Sequence, residues 1–121
     1  MTEFHAIIVD KSLMSLEVLK DLKLLSQDVP SGNWTLYKIS VNENDLISTI
    51  KKIQPLIDEG GWYFHFYNSD GSRLVVAFKD KIFELTNNPT TWSEAIDYGV
   101  SLGVPLEQLD FAPTRFEDEE F

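Results

Sequence analysis

Trp62-Tyr63-Phe64-His65-Phe66-Tyr67, then Asn68-Ser69-Asp70-Gly71, then Arg73-Leu74-Val75-Val76-Ala77-Phe78 is the stretch whose reading decides the fold class. Aromatic and β-branched residues, which suit a pleated surface, fill both runs. Gly71 supplies the positive φ that a tight turn between them needs. Lys79-Asp80-Lys81 makes a second tight turn into Ile82-Phe83-Glu84-Leu85, completing a three-stranded antiparallel meander. Side chains alternate across a strand, so Trp62, Phe64 and Phe66 share one face and Tyr63, His65 and Tyr67 the other. The first set is wholly apolar and belongs in a core. The second has apolar bodies with polar tips, suited to a pocket wall or an interface.

Working towards the N-terminus, Asn42 is placed to cap a helix, with Glu43 and Asp45 in its first turn where the helix dipole favours negative charge. Leu46, Ile47, Ile50, Ile53 and Ile57 form its apolar face, Pro55 weakens its last turn, and Gly60-Gly61 stops it. Trp34 to Val41 alternates as a strand after the turn signal Pro30-Ser31-Gly32-Asn33. Ahead of it two readings stand. Met14, Val18, Leu19, Leu22 and Leu25 recur at helical steps, yet residues 23–29 also fit the first arm of a hairpin with 34–41. Phe4 to Val9 reads as a strand.

Towards the C-terminus, Asn87-Asn88-Pro89 breaks the meander, and Thr91-Trp92-Ser93-Glu94 fits a capping box. The helix it opens carries Trp92, Ala95, Ile96, Gly99 and Leu102 and ends at Gly103; one more turn runs through Leu109. From Val104 onward Glu107, Asp110, Glu117, Asp118, Glu119 and Glu120 face only Arg115. The expected architecture is therefore α+β, an antiparallel-rich sheet with helices on one face. With the hairpin, the order of elements fits a ferredoxin-like βαββαβ unit followed by extra strand structure and a C-terminal helix. Residues 1–112 are read as a single domain and 113–121 as an acidic tail.

The chain has 121 residues, 43% hydrophobic and 25% charged, which is ordinary globular composition. There are no cysteines, which removes disulfides, thiol nucleophiles and Cys-ligated metals. Ten basic against twenty acidic residues give a net charge of −10. That sign opposes nucleic-acid backbones and anionic membrane surfaces. Glu3 stands where a signal peptide needs a basic region, and no apolar run approaches the ~20 residues that span a bilayer. A cytoplasmic location is the expectation.

Most catalytic templates fail. The glycine spacing matches neither a phosphate loop nor a dinucleotide loop, and no His-Glu-x-x-His, calcium loop or Gly-x-Ser-x-Gly occurs. No cofactor and no metal are expected. His65, the histidine expected mid-sheet, is a weak candidate as a general acid or base near neutral pH. Against that stands a satisfied histidine flanked by Tyr63 and Tyr67 beneath the C-terminal helix. Arg73, at the mouth of the return strand, can clamp a carboxylate or phosphate, or simply pair with a nearby acid. The tail reads either as an acidic–aromatic docking peptide or as a solubilising terminus, with Phe111 and Phe116 able to tie it to the sheet.

Gly61 to Asn68, Val75 to Phe83 and Ser101 to Phe111 resemble segments of small prokaryotic proteins without an assigned function, a likeness covering roughly residues 33–121. The resemblance implies a compact stand-alone domain and assigns no site residue. The sequence thus points to a small soluble non-enzymatic domain that binds a small ligand or a protein partner across its sheet through Tyr63, His65, Tyr67 and Arg73. Two alternatives stand beside it: a small enzyme using His65, and an acidic adaptor docking through its tail. A sheet with one open face also leaves a homodimer open.

Overall fold

Strand β1 (Glu3–Val9) lies in the middle of the molecule, because both of its neighbours in the sheet come from much later in the chain. The coordinates are a computed structural model, and they describe residues 2–29, 34–58, 62–109, 111 and 115–119. The remaining strands are β2 (Lys23–Asp28), β3 (Leu36–Asn42), β4 (Tyr63–Asn68), β5 (Arg73–Phe78) and β6 (Ile82–Thr86). They form one sheet in the order β2-β3-β1-β4-β5-β6, every neighbouring pair antiparallel. Two helices complete the α+β fold: α1 (Leu46–Ile53) and α2 (Ser93–Ser101).

The meander forms as expected. Asn68 closes its first turn with both backbone and side chain. Its carbonyl accepts the Gly71 N–H at 3.1 Å and its Oδ1 accepts the Arg73 N–H at 3.0 Å. Gly71 has φ 74°, the left-handed region that a Cβ disfavours.

Of the two readings of residues 14–29, the hairpin is the one formed, and the helix is not. The stretch between β1 and β2 holds only short 3-10 turns, Asp10–Ser12 and Glu17–Asp21. Two local causes oppose a helix. The Met14 N–H is donated to Leu56 O at 2.7 Å and the Asp58 N–H to Ser12 O at 2.8 Å, which holds this part of the chain extended. The Ser15 hydroxyl then accepts the Glu17 N–H, a turn that competes with helical bonding. Val18, Leu19 and Leu22 still reach the core from this irregular path. Without that first helix the βαββαβ order of elements is not reproduced.

The two helices also lie on opposite faces of the sheet, not on one. Leu46, Ile50 and Ile53 of α1 pack on Phe4, Ala6, Ile8, Ile39, Phe64, Phe66, Val75 and Ala77. Ala95 of α2 and the following Val104, Leu109 and Phe111 pack on Tyr67, Leu74, Val76 and Phe78. Full burial of a side chain such as Phe111 stabilises by roughly 1.5–3 kcal/mol, so this C-terminal cover is a major part of the second core.

Helix starts differ from the expected caps. A 3-10 turn (Glu43–Asp45) precedes α1, and neither Asn42 nor Asp45 caps with its side chain. At α2 the capping box does not form, because the Thr91 hydroxyl is donated to Asn88 O at 2.7 Å instead. Asn88 Oδ1 caps the preceding 3-10 turn by accepting the Thr90 N–H. Pro55 acts as expected: α1 ends at Ile53 and continues only as a 3-10 turn, Gln54–Leu56. The turn expected at 30–33, the Gly60-Gly61 stop and the 112/113 domain boundary lie outside the described residues. Among the described residues no helix is long and apolar enough to cross a membrane.

Candidate functional site

Three central strands deliver polar side chains to the same patch of the sheet. The apolar residues Phe4, Ala6 and Ile8 turn to the α1 side, so alternation sends His5 to the other face. Antiparallel register then sets Tyr67 of β4 directly opposite His5, and Ser40 of β3 opposite it on the other flank. Lys38, two residues before Ser40, shares that face. His5, Lys38 and Tyr67 are all buried.

The C-terminal segment closes over this row. The Phe116 N–H is donated to Ser69 O at 3.0 Å, and the Phe116 ring stacks on the His5 imidazole at 3.6 Å between centroids and 3° between planes. A 3-10 turn (Phe116–Asp118) then carries the chain to Glu119. Its Oε2 accepts the Tyr67 hydroxyl at 2.5 Å and lies 2.6 Å from His5 Nδ1, while Oε1 accepts Lys38 Nζ at 3.4 Å. The Glu119 side chain is only 12% exposed and that of Lys38 only 7%. On the far side of the ring, His5 Nε2 lies 3.4 Å from Glu3 Oε2, which also accepts the Ser40 hydroxyl. Glu3 and Ser40 line a cleft of about 250 Å³ with Asp21, Lys23, Asp45 and Thr49.

The electrostatics follow from this packing. Burial works against the charged form of Glu119, but the bonds from Tyr67 and His5 and the nearby Lys38 charge outweigh it, and the carboxyl titrates below its usual range. Burial first, and then the hydrogen bond to Glu119, push the Tyr67 phenol far above its ordinary value, so it acts here as a donor. The Ser40 hydroxyl is the main reason that Glu3 also titrates low. The cluster is chemically a receptor for one carboxylate: two short hydrogen-bond donors on one oxygen and an ammonium on the other, with an aromatic ring laid across the imidazole.

The residues singled out in the sequence are dispersed. Tyr67 belongs to the cluster. His65 is half-buried, edge-on to Tyr67 at 5.9 Å and to Phe111 at 6.3 Å. Tyr63 donates its hydroxyl to Gln108 O at 2.5 Å and packs against Phe78 and Phe111. Arg73 shares the α1 face with Val75 and Ala77, where it pairs with Glu43 and sits 5.2 Å over the Phe4 ring. It is therefore on the opposite side of the sheet from Tyr67.

His5, Lys38 and Glu119 were not singled out in the sequence, and Phe116 was read there only as an anchor of the C-terminal segment. The histidine at the heart of the sheet is His5, contrary to the expectation that His65 alone would lie mid-sheet. One signal was legible: the alternation of β1 and β3 puts His5, Lys38 and Ser40 off the apolar face. Among the described residues no group of three or more His, Asp or Glu side chains is arranged to hold a metal ion. No family model, no curated protein and no solved structure matches this chain.

Proposed function

We propose that this protein is a small non-enzymatic binding domain whose sheet face receives an acidic, aromatic-bearing segment of a protein partner. The observation that carries the reading is the Glu119 carboxylate held by His5, Tyr67 and Lys38, one donor from each of three adjacent strands. Placing an ammonium, an imidazole and a phenol together in a largely buried spot is costly unless an anion answers them. The chain answers them with its own Phe116-Glu117-Asp118-Glu119, which acts as a tethered ligand. A partner presenting an aromatic residue three positions before an acid makes the same contacts when that tether gives way.

The test uses the full chain carrying Glu119→Ala, which removes the internal carboxylate without touching its donors. A capped peptide Arg-Phe-Glu-Asp-Glu is titrated calorimetrically into it. Binding is expected with a Kd on the order of 0.1–1 mM, in keeping with a few charge-assisted bonds and one stacked ring. Replacing the peptide's Phe should remove most of it, and adding Lys38→Met to the protein should weaken it a few-fold. Unchanged wild-type chain should bind roughly tenfold more weakly, because a short tether holds the internal segment at millimolar effective concentration. A folded Glu119→Ala protein that ignores the peptide overturns the reading. Equal binding of the Phe-free peptide reduces the site to a carboxylate receptor without aromatic selectivity.

A further inference from the structure

One edge of the sheet is β2, and it is unusually bare. Leu24 and Leu25 within it are 46% and 39% exposed, and Val29 just beyond it is 48% exposed. An edge strand leaves a row of N–H and C=O groups able to pair with another strand, and apolar side chains beside them favour that pairing.

The register of β2 on β3 carries more information. Leu24 stands opposite Ile39 and Ser26 opposite Lys38, so Leu25 is an extra, bulged residue. In a regular strand, residues 23 and 28 would project from opposite faces. The bulge shifts the phase, so that Lys23, Ser26 and Asp28 share the face of Ser40, Lys38 and Leu36, while Leu24 and Gln27 share the face of Ile39 and Tyr37. The strand Lys23-Leu24-Leu25-Ser26-Gln27-Asp28 thereby becomes complementary to an antiparallel copy of itself. About a two-fold axis, Lys23 meets Asp28, Leu24 meets Gln27 and Leu25 meets Ser26, with Lys23/Asp28 and Leu24/Gln27 each matched in face. A slip of one residue in either direction loses both charge pairs. Among the described residues neither Lys23 nor Asp28 makes an ion pair within the chain.

We propose that β2 is a homodimer interface: two copies join edge to edge, Lys23 of each opposite Asp28 of the other, doubling the six-stranded sheet. The interface is isologous, as a two-fold dimer requires. Lys23 also lines the cleft beside Glu3, where its charge acts on that carboxyl, but the pairing uses only the β2 edge and does not depend on how the Glu119 cluster is used. The net charge of −10 makes copies repel at a distance, but beyond the ~8 Å screening length of physiological salt that repulsion fades and the local pairs decide.

Sedimentation velocity over a range of concentrations tests it on four full-length proteins: wild type, Lys23→Asp, Asp28→Lys, and the double exchange. All the changes fall on exposed residues, and a circular-dichroism melt of each protein checks its fold. Wild type is expected to move from 13.9 kDa towards twice that mass as concentration rises. Each single change sets like charges opposite one another at two symmetric places and should weaken association about tenfold or more. The double exchange restores opposite charges and should return the dissociation constant to within a few-fold of wild type. A wild type that stays monomeric at hundreds of micromolar overturns the proposal, whether the edge then stays bare or takes a strand from another protein. A dimer indifferent to the single changes, or not restored by the exchange, places the interface elsewhere and overturns it equally.

Discussion

Replacing Glu119 by alanine should destabilise the protein far more than the loss of a surface carboxylate would. The carboxylate answers three donors, and two of the contacts are short: Tyr67 at 2.5 Å and His5 at 2.6 Å. A hydrogen bond to a charged group contributes about 1.5–3 kcal/mol, and removing one partner of a fully buried ion pair costs about 3–5 kcal/mol. Two features lower the second figure here. Lys38 sits at 3.4 Å, a weak contact, and the Glu119 side chain is already 12% exposed, so water can reach the three donors once the carboxylate is gone. The expected loss is therefore about 2 kcal/mol, which for a domain of this size lowers Tm by roughly 6–12 °C. Typical domain stability of about 5–15 kcal/mol leaves the variant folded. Glu117→Ala is the matched control. Glu117 also lies in the acidic C-terminal segment, but among the described residues its ion pair is with the exposed Arg115, and its loss should leave Tm unchanged within error. Differential scanning calorimetry of the two variants decides the matter. Equal melting temperatures would show that the Glu119 contacts contribute nothing to stability.

Acid should release the tail. Glu119 titrates below the ordinary carboxyl value of 4.5 when docked, so docking favours its charged form. The stability gained is complete above pH 4.5 and is lost as pH falls through the docked-state value. The Phe116 amide, donated to Ser69 O, should accordingly keep its hydrogen-exchange protection factor at neutral pH and lose it below pH 4.5; a constant factor would contradict this. Gly99→Ala should cost about 1–3 kcal/mol, because a Cβ there would stand 2.6 Å from Cδ2 of the buried Leu109; an unchanged urea midpoint would show that Leu109 yields freely. Arg73→Ala removes a half-exposed pair with Glu43 and should shift stability by less than about 1 kcal/mol, read as a small change in the same midpoint. A larger loss would give Arg73 a structural weight that its exposed geometry does not show.

The meander was legible because its signals are local. Two aromatic and β-branched runs flank a turn containing Gly71, and the alternation that separated Phe64 and Phe66 from Tyr63, His65 and Tyr67 needs no knowledge of the rest of the chain. Residues 14–25 were ambiguous because Val18, Leu19 and Leu22 satisfy a helical stripe and also pack, partly buried, against the core when the path is irregular. What settled the matter is non-local: the bonds from residues 12–14 to 56–58, and the pairing of β2 with β3. The same holds for the helices. Which face each one covers depends on strand order, and no short stretch of sequence records that β1 lies between β3 and β4. The site was the least legible part. His5 is separated from Tyr67 by 62 positions and from Glu119 by 114, and a lone histidine in Phe4-His5-Ala6 carries no motif. Phe116 was named as a residue able to tie down the tail, and the structure extends that role through Glu119. The one residue common to the sequence-picked set and the cluster is Tyr67.

The most direct measurement of the central claim watches His5 itself. Long-range proton–nitrogen correlation NMR resolves Nδ1 and Nε2 of each histidine ring in wild type and in Glu119→Ala, before and after addition of the Arg-Phe-Glu-Asp-Glu peptide. Nδ1 of His5 should shift when Glu119 is removed and return towards its wild-type position as the peptide is added, while the His65 nitrogens stay in place. A His5 ring that does not sense the loss of Glu119, or that the peptide leaves unmoved at saturating concentration, would contradict a carboxylate receptor on this sheet.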